Sequence, residues 1–473
     1  MKHQKADRIE HDSMGELRVP VQAYYGAQTM RAVANFPISN LKFQNSFIHI
    51  LALIKLAAAQ TNQELGLLSS DISTAIVKAS QEMSEGIHDD QFVIDIFQTG
   101  SGTSTNMNAN EVISNRAIEI LGGELGSRKP VHPNDHVNLG QSSNDVIPTA
   151  IHIAALTMIE NNLIPSLSHL KKELQIKTEE FMPIVKTGRT HLQDATPIKL
   201  GQEFLGYVGQ ITHGIHMLNY IKSTLSEVAL GGTAVGSGVN THPKFAKLVC
   251  KKLSAILKTK IVETGNHFQA QSSLDTIVEC SGILKTISVS LMKISNDIRW
   301  LGSGPRSGIG EIELPSVQPG SSIMPGKINP VIPESVCQVA AQVIGNDTTI
   351  TVAGQSGNFE INVMMPIAAY NLLQSIEILA SSSMNLADRC VKGLTATERG
   401  PDMVTNGLAI VTTLVPHIGY DASAAIAKEA QDTGKSIKEI AEIRTNIHPD
   451  DLDNILDPKS MTEPGISTEP TKD

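Results

Sequence analysis

At 473 residues the chain exceeds one ordinary hydrophobic core, and two or three domains are expected. Hydrophobic residues make up 41% and charged ones 18%, a globular balance, and aromatics at only 4% argue against an aromatic-rich β fold or a stacking surface for single-stranded nucleic acid. A formal charge of −10 with a pI near 5.8 argues against a nucleic-acid or anionic-membrane partner, so an anionic substrate needs a local pocket that overcomes the global field.

In chain order, residues 1–140 read as a mixed, mainly helical domain rich in Gly and Asn. The opening MKHQKADRIEHDSMGELRVP lacks the apolar core of a secretory signal, and its early acidic residues disfavour a mitochondrial transit peptide. After the apolar FVIDIF comes TGSGTSTNMNANE at 99–111, where Thr105 occupies the last position of an incomplete GxGxxG and no GK[ST] follows. A nucleotide cradle is therefore weakly supported. What remains is a set of hydroxyl and amide donors, Ser101, Thr103 and Asn106, opening a helix that either binds a carboxylate or is simply capped.

The next polar stretch, VHPNDHVNLGQSSNDVIPT at 131–149, holds His132, Asp135 and His136 at a spacing that fits no strong metal motif, and no metal is expected. Its SSND, with Ser142, Ser143 and Asn144, is again a donor-rich helix start. Residues 141–360 then read as a long-helix bundle. Leu156, Ile159, Leu163, Leu167, Leu170 and Leu174 recur at spacings of three and four, as do Phe204, Val208, Ile211, Ile215 and Leu218. Ile277, Cys280, Leu284, Ile287, Leu291, Ile294 and Ile298 form an unbroken heptad seam. Flanks such as TAIHIAALTMI are apolar on more than one face, which suits burial between subunits or a broader core.

Between the first two helices, KTGRTHLQDATPIKLGQE places Arg189, Thr190 and His191 in a polar loop, a setting that favours acid–base work over a packing role. By contrast His213 and His216, at i and i+3 on a helix, read as surface or packing residues. After the third helix comes GSSIMPGKINP at 320–330, followed by PESVCQVAAQVIGND carrying Glu334. Ser321 has no aspartate–histidine partner in sequence. With Lys327 and loop amides around it, it can be held as an alkoxide and act as a base, while Lys327 and Asn329 stabilise charge growing on a carboxylate. The inventory of hydroxyls, amides, one lysine, one histidine and one serine base suits proton abstraction beside a carboxylate in a small di-acid, with loss of a leaving group. Further helical pattern covers 366–386; residues 361–473 read as a small helical domain, polar and shorter-helical after about 390, and TEPGISTEPTKD as a disordered tail. The four cysteines, Cys250, Cys280, Cys337 and Cys390, form no CxxC and suit reduced thiols in a cytoplasm; no apolar run approaches a membrane span.

GSSIMPGKINP closely resembles the signature of the fumarase/aspartase superfamily, and the other three polar stretches resemble its remaining regions in the same order, across about residues 10–460. Within it the chain looks like a class II, metal-independent fumarase: it keeps His191, where aspartases typically carry Gln, and Gly326, where they usually have Ala. The run NPVIPESVCQVAAQVIGND is shared with aspartases as well as with some bacterial fumarases. The resemblance implies an all-α, three-domain fold and a homotetramer whose active sites combine loops from three subunits. It further implies a cofactor-free enzyme of the tricarboxylic acid cycle, interconverting fumarate and L-malate. Ser321 would be the base, and His191, oriented by Glu334, the acid. Ser101, Gly102, Thr103, Ser142, Ser143, Asn144, Thr190, Ser322, Lys327 and Asn329 would hold substrate. A secondary dicarboxylate site maps to His132, Pro133, Asn134 and Asp135, with Lys129 where the family often has Arg, a residue that grips carboxylates differently. Aspartate ammonia-lyase, or a non-catalytic relative of the kind that serves in the lens, are the alternatives; the intact Ser321, Lys327, Asn329, His191 and Glu334 argue against the latter.

Overall fold

The computed structural model describes residues 7–465. Residues 1–6 of the N-terminal segment and 466–473 of the expected tail lie outside the described residues. The described residues are mainly helical, and among them the strands pair only as two-stranded ribbons. The all-α expectation therefore holds.

The helices follow from the apolar periods. All seven residues of the third seam lie on one helix, Asp275–Leu301, and every one is buried. At 27 residues it is roughly 40 Å long at 1.5 Å per residue. The second seam lies on Leu200–Leu225, with Ile215 only half-buried and His213 and His216 exposed. The first seam is interrupted in a way its spacing does not reveal: helix Ser143–Met158 passes through a π-turn, Ile159–Leu163, into helix Ile164–Phe181, and the six seam residues stay buried throughout. Two further long helices are Val331–Gly354 and Met365–Arg389.

The chain divides into two compact units. One comprises residues up to 165 with 214–288 and 339–380. It opens with the ribbon Asp7–Asp12 and Gly15–Pro20, antiparallel from Asp7 opposite Pro20 to Asp12 opposite Gly15. Helix Asn45–Glu64 is its centre, packed by Ser70–Ser84, Ser143–Met158 and Phe245–Leu257, and burying Phe47, Ile48, Leu51 and Ile54. Helix Thr103–Ile120 buries a polar face instead, including Asn106, Asn110 and Glu111. The Glu111 carboxylate accepts hydrogen bonds from the backbone N–H groups of Gly26, Gln28 and Thr29, and so satisfies the start of helix Ala27–Asn35.

The other unit comprises 166–213, 289–338 and 381 onward. It contains the ribbon Val185–Thr190 with Gln193–Lys199 and a C-terminal helical cluster around Leu414, Ile437, Ile440, Ala441 and Leu452. The beginning of TEPGISTEPTKD is held rather than loose: the Gln202 amide donates to the Thr462 carbonyl at 2.8 Å.

Because Leu284 is fully buried on the heptad seam, Leu284→Ala should cost about 2–5 kcal/mol of unfolding free energy, read as a lower urea midpoint with an unchanged m-value.

Candidate active site

In the first unit the donor-rich stretches form two adjoining helix starts. Gly102 caps helix Thr103–Ile120 in a left-handed conformation. The hydroxyls of Ser101 and Thr103 lie 2.8 Å apart, and that of Thr103 is 2.7 Å from Ser143. Ser142 is the N-cap of helix Ser143–Met158, its Oγ accepting from the Asn144 N–H at 3.2 Å while Asp145 Oδ1 accepts from the Ser142 N–H at 2.9 Å, a reciprocal capping box. From sequence, carboxylate binding and plain capping are alternatives for such starts. The Ser142 start contains the cap, whereas no side chain caps the Thr103 start, and Ser101, Thr103 and Ser143 are left as a contiguous hydroxyl chain. Asn144 is anchored through its amide to the Ala234 carbonyl at 2.7 Å.

Nearby, residues Pro133–Val137 form a single π-turn capped by His132. His132 Nδ1 accepts from the N–H groups of Asn134 and Asp135, each at 3.2 Å, so that nitrogen carries no proton and Nε2 is the donor. The 3.4 Å approach of Asp135 to the same Nδ1 is thus no charged pair in this tautomer. His136 Nδ1 accepts from the His132 N–H at 2.9 Å, and burial lowers its pKa. Asn134, Asp135 and Lys129 are exposed. Among the described residues no group of three or more His, Cys, Asp or Glu side chains is placed to hold a metal ion.

In the second unit, the stretch expected as a polar loop is a β-hairpin. Thr190 pairs with Gln193, so His191 and Leu192 form a two-residue turn with φ of +58° and +59°. Hairpin turns of this kind favour Asn-Gly or Asp-Gly because both central residues are left-handed. His-Leu carries no such signal, which is why the turn is hidden in the sequence. The strain, about 1–2 kcal/mol per residue, is stored at the histidine singled out for acid–base work. A buried cluster holds the hairpin's base: Lys186 Nζ approaches Glu203 at 3.1 Å and Glu311 at 2.9 Å, and Arg189 reaches Glu311 at 2.7 Å. Burial opposes the charge on Arg189, yet Glu311, with Asp194 and Glu203 nearby, holds its pKa above the ordinary value.

The 320–330 loop is closed at its base, where the Gly320 N–H donates to the Lys327 carbonyl at 2.9 Å and the Asn329 amide donates to the Gly320 carbonyl. A Cβ at position 320 would lie 2.2 Å from the Lys327 carbonyl oxygen, so this backbone approach requires glycine. At the loop's shoulder Ser321 Oγ accepts from the N–H groups of Ile323 at 3.2 Å and Met324 at 2.9 Å. Ser322 and Lys327 are exposed. Lys327, Asn329 and Glu334 line one cleft of about 580 Å³ with Asn296, Arg299 and Trp300; His191 and Thr190 are not among its walls.

A lyase family model matches residues 15–345, and a second, for the fumarase C C-terminus, matches residues 410–463. The class II fumarate hydratase of Nitrosomonas europaea is 50% identical over 96% of this chain and 99% of its own length. The mitochondrial fumarate hydratase of Rattus norvegicus is 49% identical over 98% of this chain and 92% of its own. The chain belongs to the class II fumarases. A crystal structure of the class II fumarase from Schistosoma mansoni superposes with a TM-score of 0.95 at 41% identity, covering 96% of this chain and 99% of that one. This member of the class II fumarases is accordingly a lyase built on the all-α fold of its superfamily.

Two of the buried groups that hold the motifs in place, Lys55 in one unit and Glu311 in the other, lie outside them, whereas the third, Asp145, is the last residue of SSND. Of the first two, Lys55 is the more legible, a single cation within the apolar run ILALIKLAAA.

Leu192 is 66% exposed, so glycine there relieves the left-handed strain without losing packing. Leu192→Gly should stabilise the fold by about 0.5–1 kcal/mol, seen as a higher Tm in calorimetry; a lower Tm would contradict a strained turn.

Proposed function

We propose that this class II fumarase chain is a fumarate hydratase, interconverting fumarate and L-malate through general-base catalysis by Ser321. The observation that carries the reading is the pair of backbone N–H groups aimed at Ser321 Oγ. Donors to an oxygen stabilise its deprotonated form, which is what a serine needs in order to act as a base without a histidine. The base takes the C3 proton of malate and leaves an aci-carboxylate, whose charge Lys327 and Asn329 stabilise. His191, acting through a water and oriented by Glu334, protonates the departing hydroxyl; the reverse sequence hydrates fumarate. Ser101, Thr103, Ser142, Ser143, Asn144 and Thr190 supply the remaining donors to the two carboxylates, and preorganised donors of this sort contribute several kcal/mol to stabilising such a carbanion.

The site is proposed to draw on several copies of the chain in a homotetramer. Exposed apolar residues on the long helices support this, Leu205 at 49%, Tyr220 at 67% and Val289 at 53% among them. The His132–Asp135 turn, with Lys129, is proposed as a secondary dicarboxylate site, its His132 Nε2 available as a donor. The enzyme's proposed setting is the tricarboxylic acid cycle in a cytoplasm, where four free thiols stay reduced. Aspartate as substrate is disfavoured by His191 and by Gly326, whose φ of +79° suits glycine over alanine.

Purified, EDTA-treated protein offered L-malate and L-aspartate in parallel should form fumarate from malate alone. Fumarate from aspartate alone would overturn the reading. Ser321→Ala should reduce turnover at least about a hundredfold while the particle keeps its mass, and near-normal rates would remove Ser321 as base. Light scattering should give four chains per particle; a fully active monomer would contradict the shared site.

A further inference from the structure

Lys55 lies in the middle of helix Asn45–Glu64 with none of its surface exposed. Its Nζ donates to Asn138 Oδ1 at 2.9 Å and to Gln141 Oε1 at 3.0 Å, both neutral amide oxygens. Asn138 Oδ1 also accepts from Asn106 and Asn110, each at 3.2 Å, so three donors converge on one oxygen. Asn138 in turn donates to the Gln141 carbonyl, and Gln141 to those of Val137 and Leu139. This network runs from the end of the 133–137 turn to the residue preceding the Ser142 cap.

One turn further along is Asp145, also fully buried. Its carboxylate accepts from the N–H groups of Ser142 at 2.9 Å and of Gly231 and Thr233 at 3.0 Å. Here lies an electrostatic difficulty. A helix start that is to receive a substrate carboxylate already contains a buried carboxylate of its own, and in a low-dielectric interior like charges repel strongly. The difficulty disappears if a buried cation accompanies it.

We propose that Lys55 is a positioning residue for dicarboxylate binding: it offsets the charge of Asp145 and fixes the 138–142 segment, so that the start of helix Ser143–Met158 presents its donors to an anion. The pair carries no net charge wherever its proton sits. Burial pushes Lys55 down to about 7 and raises Asp145; each acts on the other in the opposite sense. Without Lys55 the Asp145 carboxyl keeps its three backbone N–H donors but loses the cation that offsets its charge at the start of the helix. The proposal rests on the assignment of Ser142–Asn144 to substrate binding.

Two variants test it. Lys55→Met keeps the length of the side chain and removes the charge; Lys55→Gln also removes the charge but keeps a donor for Gln141, and it decides the matter alone should Lys55→Met fail to fold. In both, KM for L-malate and for fumarate should rise about tenfold, with kcat per folded site within about threefold of wild type. A lower Tm with KM unchanged in Lys55→Gln would overturn the proposal and leave Lys55 a structural group only. Calorimetric binding of succinate, a four-carbon dicarboxylate that cannot be hydrated, separates this from the reading beneath it. Wild-type protein that binds succinate but turns over neither malate nor fumarate would refute the hydratase reading alone. Equal succinate affinity in wild type and Lys55→Gln would refute the role of Lys55, whatever the turnover.

Discussion

The buried carboxylate of Asp145 is the constraint on which the first unit's site geometry depends. A charge without solvent must be met by several donors, and the three N–H groups that meet it come from the Ser142 cap and from the 231–233 segment. The Gln271 amide holds the same segment through the Thr233 carbonyl at 2.8 Å. Two loops distant in sequence thus share one anchor, and Ser142, Ser143 and Asn144 take their places as a consequence. The Ser101–Thr103 hydroxyls reach this anchor through Ser143.

The second unit solves a related problem with more charges. Lys186, Arg189, Glu203 and Glu311 sum to zero, and Glu311 stands between two cations. Its backbone carries strain of another kind to the hairpin tip, where His191 and Leu192 sit in left-handed conformations. A rigid, neutralised base is what allows two non-glycine residues to be kept there, because a looser hairpin would relax into a wider turn. The opposite regime governs 320–330, closed only at its base and projecting Ile323, Met324 and Ile328 into solvent.

Much of the helical architecture was legible because apolar periods of three and four arise where a helix buries one face and in few other settings. The seam from Ile277 to Ile298 maps onto one helix without a break. The π-turn at Ile159–Leu163 was not legible, since one extra residue in a turn leaves the buried stripe intact. At the site, the Ser142 cap could be read from SSND ahead of an apolar run, whereas the hairpin could not, because His-Leu is an improbable pair for its turn. Glu311 is harder still, and Lys55 shows only as a lone cation in an apolar run, with nothing local to say what it holds. Their roles come from partners 83 or more residues away, which no local pattern encodes.

The exposed apolar residues of the 320–330 loop bear on the life of a newly made chain. Ile323 is 83% exposed, and a surface like this gains free energy only when something covers it. If neighbouring copies provide that cover, the order of the serine loop becomes a property of association rather than of folding. Subunit assembly takes milliseconds to minutes and depends on concentration. A freshly folded chain would then pass through a silent period whose length is set by how often it meets its own kind, so that scarce protein is idle out of proportion to its amount.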